Sequence, residues 1–112
     1  MKLLTIDWRN EFKNCVRFAI FVNGCECGNI KRGEVQTVPV HDGHTELYFV
    51  PQAPKFYGWR ALKLKTNIYG ATPEIYLTIM SDKNGLLQSF QLRCRNAVGV
   101  DILQEELIKK YR

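Results

Sequence analysis

Three dipeptides constrain this chain most: Asn23-Gly24, Asp42-Gly43 and Asn84-Gly85. Both central positions of a two-residue type I′ hairpin need positive φ, which Asn, Asp and Gly tolerate. Each dipeptide lies between runs rich in Val, Ile, Phe, Tyr and Leu. The pattern predicts hairpins at all three, with a further turn at Lys31-Arg32-Gly33. Strands are expected near Val16–Val22, Cys25–Ile30, Val35–Val40, His44–Val50, Trp59–Lys65, Ile75–Ser81 and Leu87–Arg93, with Leu3–Asp7 as an added edge strand. Pro51-Gln52-Ala53-Pro54 is a poor strand, because proline lacks the ladder donor, and it is expected to cross between sheets.

Hairpin geometry lets the faces be read, because directly opposed residues share a face. Around the first turn Val22 opposes Cys25 and Ile20 opposes Cys27. Around the second, Val38 opposes Leu47 and Val40 opposes Thr45. Around the third, Ile79 opposes Phe90, Leu77 opposes Leu92 and Ile75 opposes Cys94. Each hairpin has one apolar and one mixed face, as in sheets that bury one side. The expected fold is therefore all-β: an antiparallel β-sandwich of about seven or eight short strands, with an open β-barrel as the alternative.

The tail changes period. Val100, Leu103, Leu107 and Tyr111 recur at helical spacing, and Asp101 with Gln104 resembles a capping box. Glu105–Lys109 and Glu106–Lys110 are i,i+4 pairs in the favourable order. These predict one C-terminal α-helix over about 100–111. The 112 residues fit a single domain, 1–112. The start shows no secretory signal, and no run approaches the ~18 apolar residues that span a bilayer. A cytoplasmic location with no membrane association is expected.

No catalytic set assembles from the sequence, so the chain is read as a non-enzyme without cofactors. Ser81 and Ser89 lie in no nucleophile elbow, and Glu105 and Glu106 diverge by about 100° on a helix. Cys25-x-Cys27 followed by His41-x-x-His44 suggests zinc, but paired zinc cysteines are usually two or more residues apart. The hairpin registers also put the cysteines on the apolar face and the histidines on the mixed one. Cys25, Cys27 and Cys94 are therefore expected to be reduced, buried and free of metal.

The net charge of +5 is compatible with nucleic acid if the charges cluster. Trp59, Lys63 and Lys65 share one parity, opposite to Leu62 and Leu64. Tyr76 opposes Arg93 on the outer side of its hairpin. If these strands belong to one sheet, Trp59, Lys63, Lys65, Tyr76 and Arg93 form a basic, aromatic binding face. Such a face suits stacked bases and phosphates, or a protein partner.

Phe18–Val50 resembles the PEGA-like family of small β modules. The shared pattern is Ile20-x-Val22-Asn23-Gly24, Gly28, Gly33-Glu34, Val38-Pro39-Val40, Gly43-His44 and Leu47. The resemblance implies successive antiparallel hairpins in a non-catalytic β-sandwich module attached to other domains; it transfers no functional residue. The expected function is an interaction or scaffolding module that binds a protein partner or forms a homo-oligomer. The alternative is a nucleic-acid-binding β domain using the basic face.

Overall fold

The computed structural model describes residues 2–8, 17–31, 33–52, 61–81 and 90–108. They form nine strands: β1 (Lys2–Trp8), β2 (Arg17–Val22), β3 (Cys25–Lys31), β4 (Glu34–Val40), β5 (Gly43–Pro51), β6 (Ala61–Ile68), β7 (Glu74–Ser81), β8 (Phe90–Asn96) and β9 (Val100–Ile108). These make two sheets, ordered β4-β1-β7-β8 and β3-β2-β5-β6-β9, and neither closes into a barrel. The all-β reading holds, and the two sheets enclose one core in a sandwich-like arrangement. Leu4, Ile6, Trp8, Val38, Val40, Ile75 and Leu77 come from the first sheet. Phe18, Ile20, Ile30, Leu47, Phe49, Leu62, Leu64, Ile68 and Val100 meet them from the second.

The inward residues follow the period-two alternation of a strand. In β6, Leu62, Leu64, Thr66 and Ile68 are buried while Lys63, Lys65 and Asn67 are half-buried on the other side. The two buried threonine hydroxyls are hydrogen-bonded, as burial demands. Thr66 Oγ1 donates to Thr45 O (3.0 Å) and Thr45 Oγ1 to Gly43 O (3.4 Å).

Asn23-Gly24 closes the β2–β3 hairpin with φ of 49° and 87°. Asn23 also ties that turn to β5. Its backbone N–H donates to Glu46 O (2.8 Å), and its side-chain Oδ1 accepts from Glu46 N (2.9 Å). Val22 opposes Cys25 as read, but a register shift follows between Ile20 and Phe21, so Ile20 meets Gly28 rather than Cys27.

Five expectations need correction. The C-terminal segment is not a helix over its described part: Val100–Ile108 is β9, an edge strand antiparallel to β6. Pairing with β6 satisfies its backbone and buries Val100, which outweighs i,i+4 pairs of about 0.2–0.5 kcal/mol each. Asp42-Gly43 closes no hairpin, because β4 pairs with β1 while β5 pairs with β2 and β6. The chain changes sheets there, with Gly43 at φ 104°. β5 and β6, the strands on either side of Pro51-Gln52-Ala53-Pro54, are by contrast neighbours in one sheet, so the expected change of sheets there does not occur. Leu3–Asp7 is interior, flanked by β4 and β7, and its pairing with β7 is parallel. The β7–β8 register differs by two residues from that read off Asn84-Gly85: Ile79 meets Leu92 and Leu77 meets Cys94. A shift of two preserves every facing, and the turn itself lies outside the described residues.

Candidate functional site: two outer faces

The five residues singled out in the sequence do not share a sheet. Lys63 and Lys65 lie on β6, in the five-stranded sheet, whereas Tyr76 and Arg93 lie on β7 and β8, in the four-stranded one. The two sets therefore belong to opposite sheets. Trp59 lies outside the described residues. Arg93 pairs with Thr78, and Tyr76 pairs with Arg95.

The outer face of the five-stranded sheet can be read row by row. One row runs Glu26, Phe21, Tyr48, Lys63, Glu106 across all five strands. The next is Glu46, Lys65, Gln104, and the third is His44, Asn67, Asp101. Across these three rows four carboxylates accompany two lysines; Arg17 and Lys31, paired farther along β2 and β3, add two cations to the same face, and Arg17 lies against Glu34. Lys63 Nζ is 3.3 Å from Glu46 Oε1 and 5.6 Å from the centre of the Tyr48 ring. Hydrogen bonding to Tyr48, and then to Glu46, raises the Lys63 ammonium above its ordinary pKa. A lysine held this way is poorly placed to neutralise a phosphate.

The outer face of the four-stranded sheet has a different character. Its rows are Val35, Asp7, Tyr76, Arg95, then Thr37, Thr5, Glu74, then Pro39 and Leu3. Leu3 is 61% exposed, Val35 43% and Tyr76 41%. Pro39 is also exposed. The Tyr76 hydroxyl donates to Glu74 Oε2 (3.1 Å), which holds the ring beside its own strand. Asp7 lies between Val35 and Tyr76 and is buried. Parity in β1 and β4 was readable, and it puts Leu3, Val35 and Pro39 outside. That the two strands adjoin each other and β7 was not.

At the corner between β3 and β4, Glu34 Oε1 accepts from the Lys31 backbone N–H (3.1 Å) and lies 3.5 Å from Arg17 Nη1. The backbone hydrogen bond, chiefly, holds the Glu34 carboxyl below its ordinary pKa, with Gln36, Arg17 and Lys31 acting in the same direction.

The three described thiols are free and differ in environment. Cys25 is exposed, which corrects the expectation of burial; Cys27 and Cys94 are half-buried and pack against the core. Burial, and then the Glu105 carboxylate on β9, pushes the Cys94 thiol well above its ordinary pKa. Because the thiolate is the nucleophile, iodoacetamide at about pH 8 should label Cys25 readily and spare Cys94 until the protein unfolds. Peptide mapping after brief labelling checks this, and comparable modification of both would contradict it.

Among the described residues no group of three or more His, Cys, Asp or Glu side chains converges as a metal site. Nor is any described helix long and apolar enough to cross a membrane. Compared with family models, curated proteins and solved structures, the chain finds no match.

Proposed function

We propose that this chain is a non-enzymatic interaction module that binds a protein partner, or a second copy of itself, through the outer face of its four-stranded sheet. One observation carries the reading. Of the six exposed large apolar side chains among the described residues, three (Leu3, Val35 and Tyr76) lie on that single face. Exposed apolar residues scattered singly need no explanation; three on one sheet face, interspersed with Thr37, Thr5 and Glu74, would serve as anchors of an interaction surface. Aromatic residues such as Tyr76 are enriched at interface centres, and the charged groups around it suit an interface rim. The PEGA-like resemblance over Phe18–Val50 implies successive hairpins, of which only β2–β3 forms within that stretch, so it adds little to this reading.

The nucleic-acid reading loses its main support when Lys63 and Lys65 stand apart from Tyr76 and Arg93, among carboxylates. The two readings separate experimentally. Val35→Glu with Tyr76→Glu should remove proteins that co-purify from the native host, or shift a self-associated species to monomer. Lys63→Glu with Lys65→Glu should leave association intact. Thermal melts of both variants fix a temperature at which each is folded; the lysine variant should lose the more stability, because Lys63 and Lys65 are half-buried, Lys63 pairs with Glu46, and new carboxylates there would face Glu46 and Glu106. Oligonucleotide binding that weakens steeply with salt and disappears in the lysine variant would overturn the proposal.

A further inference from the structure

We propose that Cys25 and Cys27 form a two-coordinate site for a soft monovalent cation, of which cuprous ion is the biological representative. The two thiols lie two residues apart on β3, an edge strand, where solvent reaches them. In a regular strand residues i and i+2 share a face. Cys25 opposes Val22, whose side chain packs against the core, and Cys27 packs against the same core, so both belong to the inward side of the strand's end.

The register shift brings them closer to one use. Phe21 meets Glu26 and Ile20 meets Gly28, leaving Cys27 as the extra residue of a bulge. A bulge bends its strand and re-aims a side chain. Here the Cys27 thiol donates to the backbone carbonyl of Cys25 (3.3 Å), which turns its sulfur toward the Cys25 end of the strand. Neither thiol is in a disulfide, and Cys25 is exposed to solvent.

The donor set selects the ion. Structural zinc takes four ligands, and these two thiols have no third or fourth companion among the described residues. Thiolates are soft donors and prefer cuprous copper, a closed-shell ion content with two ligands in line. Binding is not a redox step. Each thiol releases its proton to solvent, two sulfur–copper bonds form, and copper stays monovalent throughout.

The test uses full-length protein in a Cys15→Ser/Cys94→Ser background. Cuprous ion is presented anaerobically as its bathocuproine disulfonate complex, and the loss of chelator colour reports transfer. One equivalent should transfer per chain. A further Cys25→Ser or Cys27→Ser change should each abolish transfer while the circular dichroism spectrum is unchanged. Zinc offered in the same way should not be retained. Absence of transfer to the background protein, or an equivalent surviving in either single-cysteine chain, would overturn the proposal.

Discussion

Trp8→Ala is expected to remove a large part of the stability of this domain. Trp8 is fully buried, with its ring centre 5.5 Å from that of Phe18 at an interplanar angle of 59°. Emptying such a site costs about 3–5 kcal/mol in lost transfer energy and residual cavity. Domains of this size are stable by only about 5–15 kcal/mol, so the urea midpoint should fall far or the protein should fail to fold. Trp8→Phe should behave quite differently. The indole Nε1 is buried with no acceptor among the described residues. An unsatisfied buried donor carries a penalty of about 1–3 kcal/mol, which the phenylalanine ring does not incur. The loss of volume and the removal of that donor oppose each other, leaving a net cost of about 1–2 kcal/mol. Urea unfolding of the two variants checks this. Equal damage in both would mean that the indole N–H has an acceptor after all.

Gly99→Ala is the second substitution expected to be severe. Gly99 stands at φ 92° between β8 and β9, where the chain changes sheets. A Cβ there would lie 2.4 Å from the Tyr69 carbonyl oxygen and 3.0 Å from Pro73 Cα, both of them backbone atoms. The same corner is held by Tyr69 N donating to Gly99 O (2.7 Å) and Glu74 N donating to Val98 O (3.1 Å). Two sheet crossings interlock here, so relieving the overlap must separate them. Gly24→Ala is the control. Its φ is 87°, but a Cβ meets nothing within 4 Å. Both substitutions carry the positive-φ cost of about 1–2 kcal/mol. Only Gly99→Ala adds the overlap, for a total of about 3–5 kcal/mol. Its melting temperature should drop by roughly 15 °C or more, and that of Gly24→Ala by less than half as much. Similar melts for the two would show that the corner yields easily.

What could be read from the sequence was local, and what could not was pairing. Parity is local: Leu62 and Leu64 turn inward, and Val38, Val40, Thr45 and Leu47 do so whether Asp42-Gly43 closes a hairpin or changes sheets. The turn chemistry is the same in both cases, because Asp-Gly supplies the backbone freedom and says nothing of where the next strand docks. The C-terminal helix was misread for a physical reason. Val100 and Ile102 alternate as a strand should, and then the β6–β9 register shifts between Lys65 and Thr66, leaving Leu103 as an extra, exposed residue. A bulge breaks the period of two, and the sequence 100, 103, 107 then imitates a helical stripe. The candidate face failed on the same ground. Lys63, Lys65 and Tyr76 are each on outward strand positions, but which sheet holds which strand is decided by contacts far apart in the chain.

The outer face of the four-stranded sheet, on which Leu3, Val35 and Tyr76 are exposed, is proposed as the surface this domain presents to its partner. Site-specific photocrosslinking in the native host tests it most directly. A benzophenone amino acid is placed at Val35, on that face, or at Glu106, on the outer face of the five-stranded sheet. Illumination should yield a discrete adduct, to one other protein or to a second copy, from position 35 and none from position 106. An adduct from position 106 with none from position 35 would contradict the account.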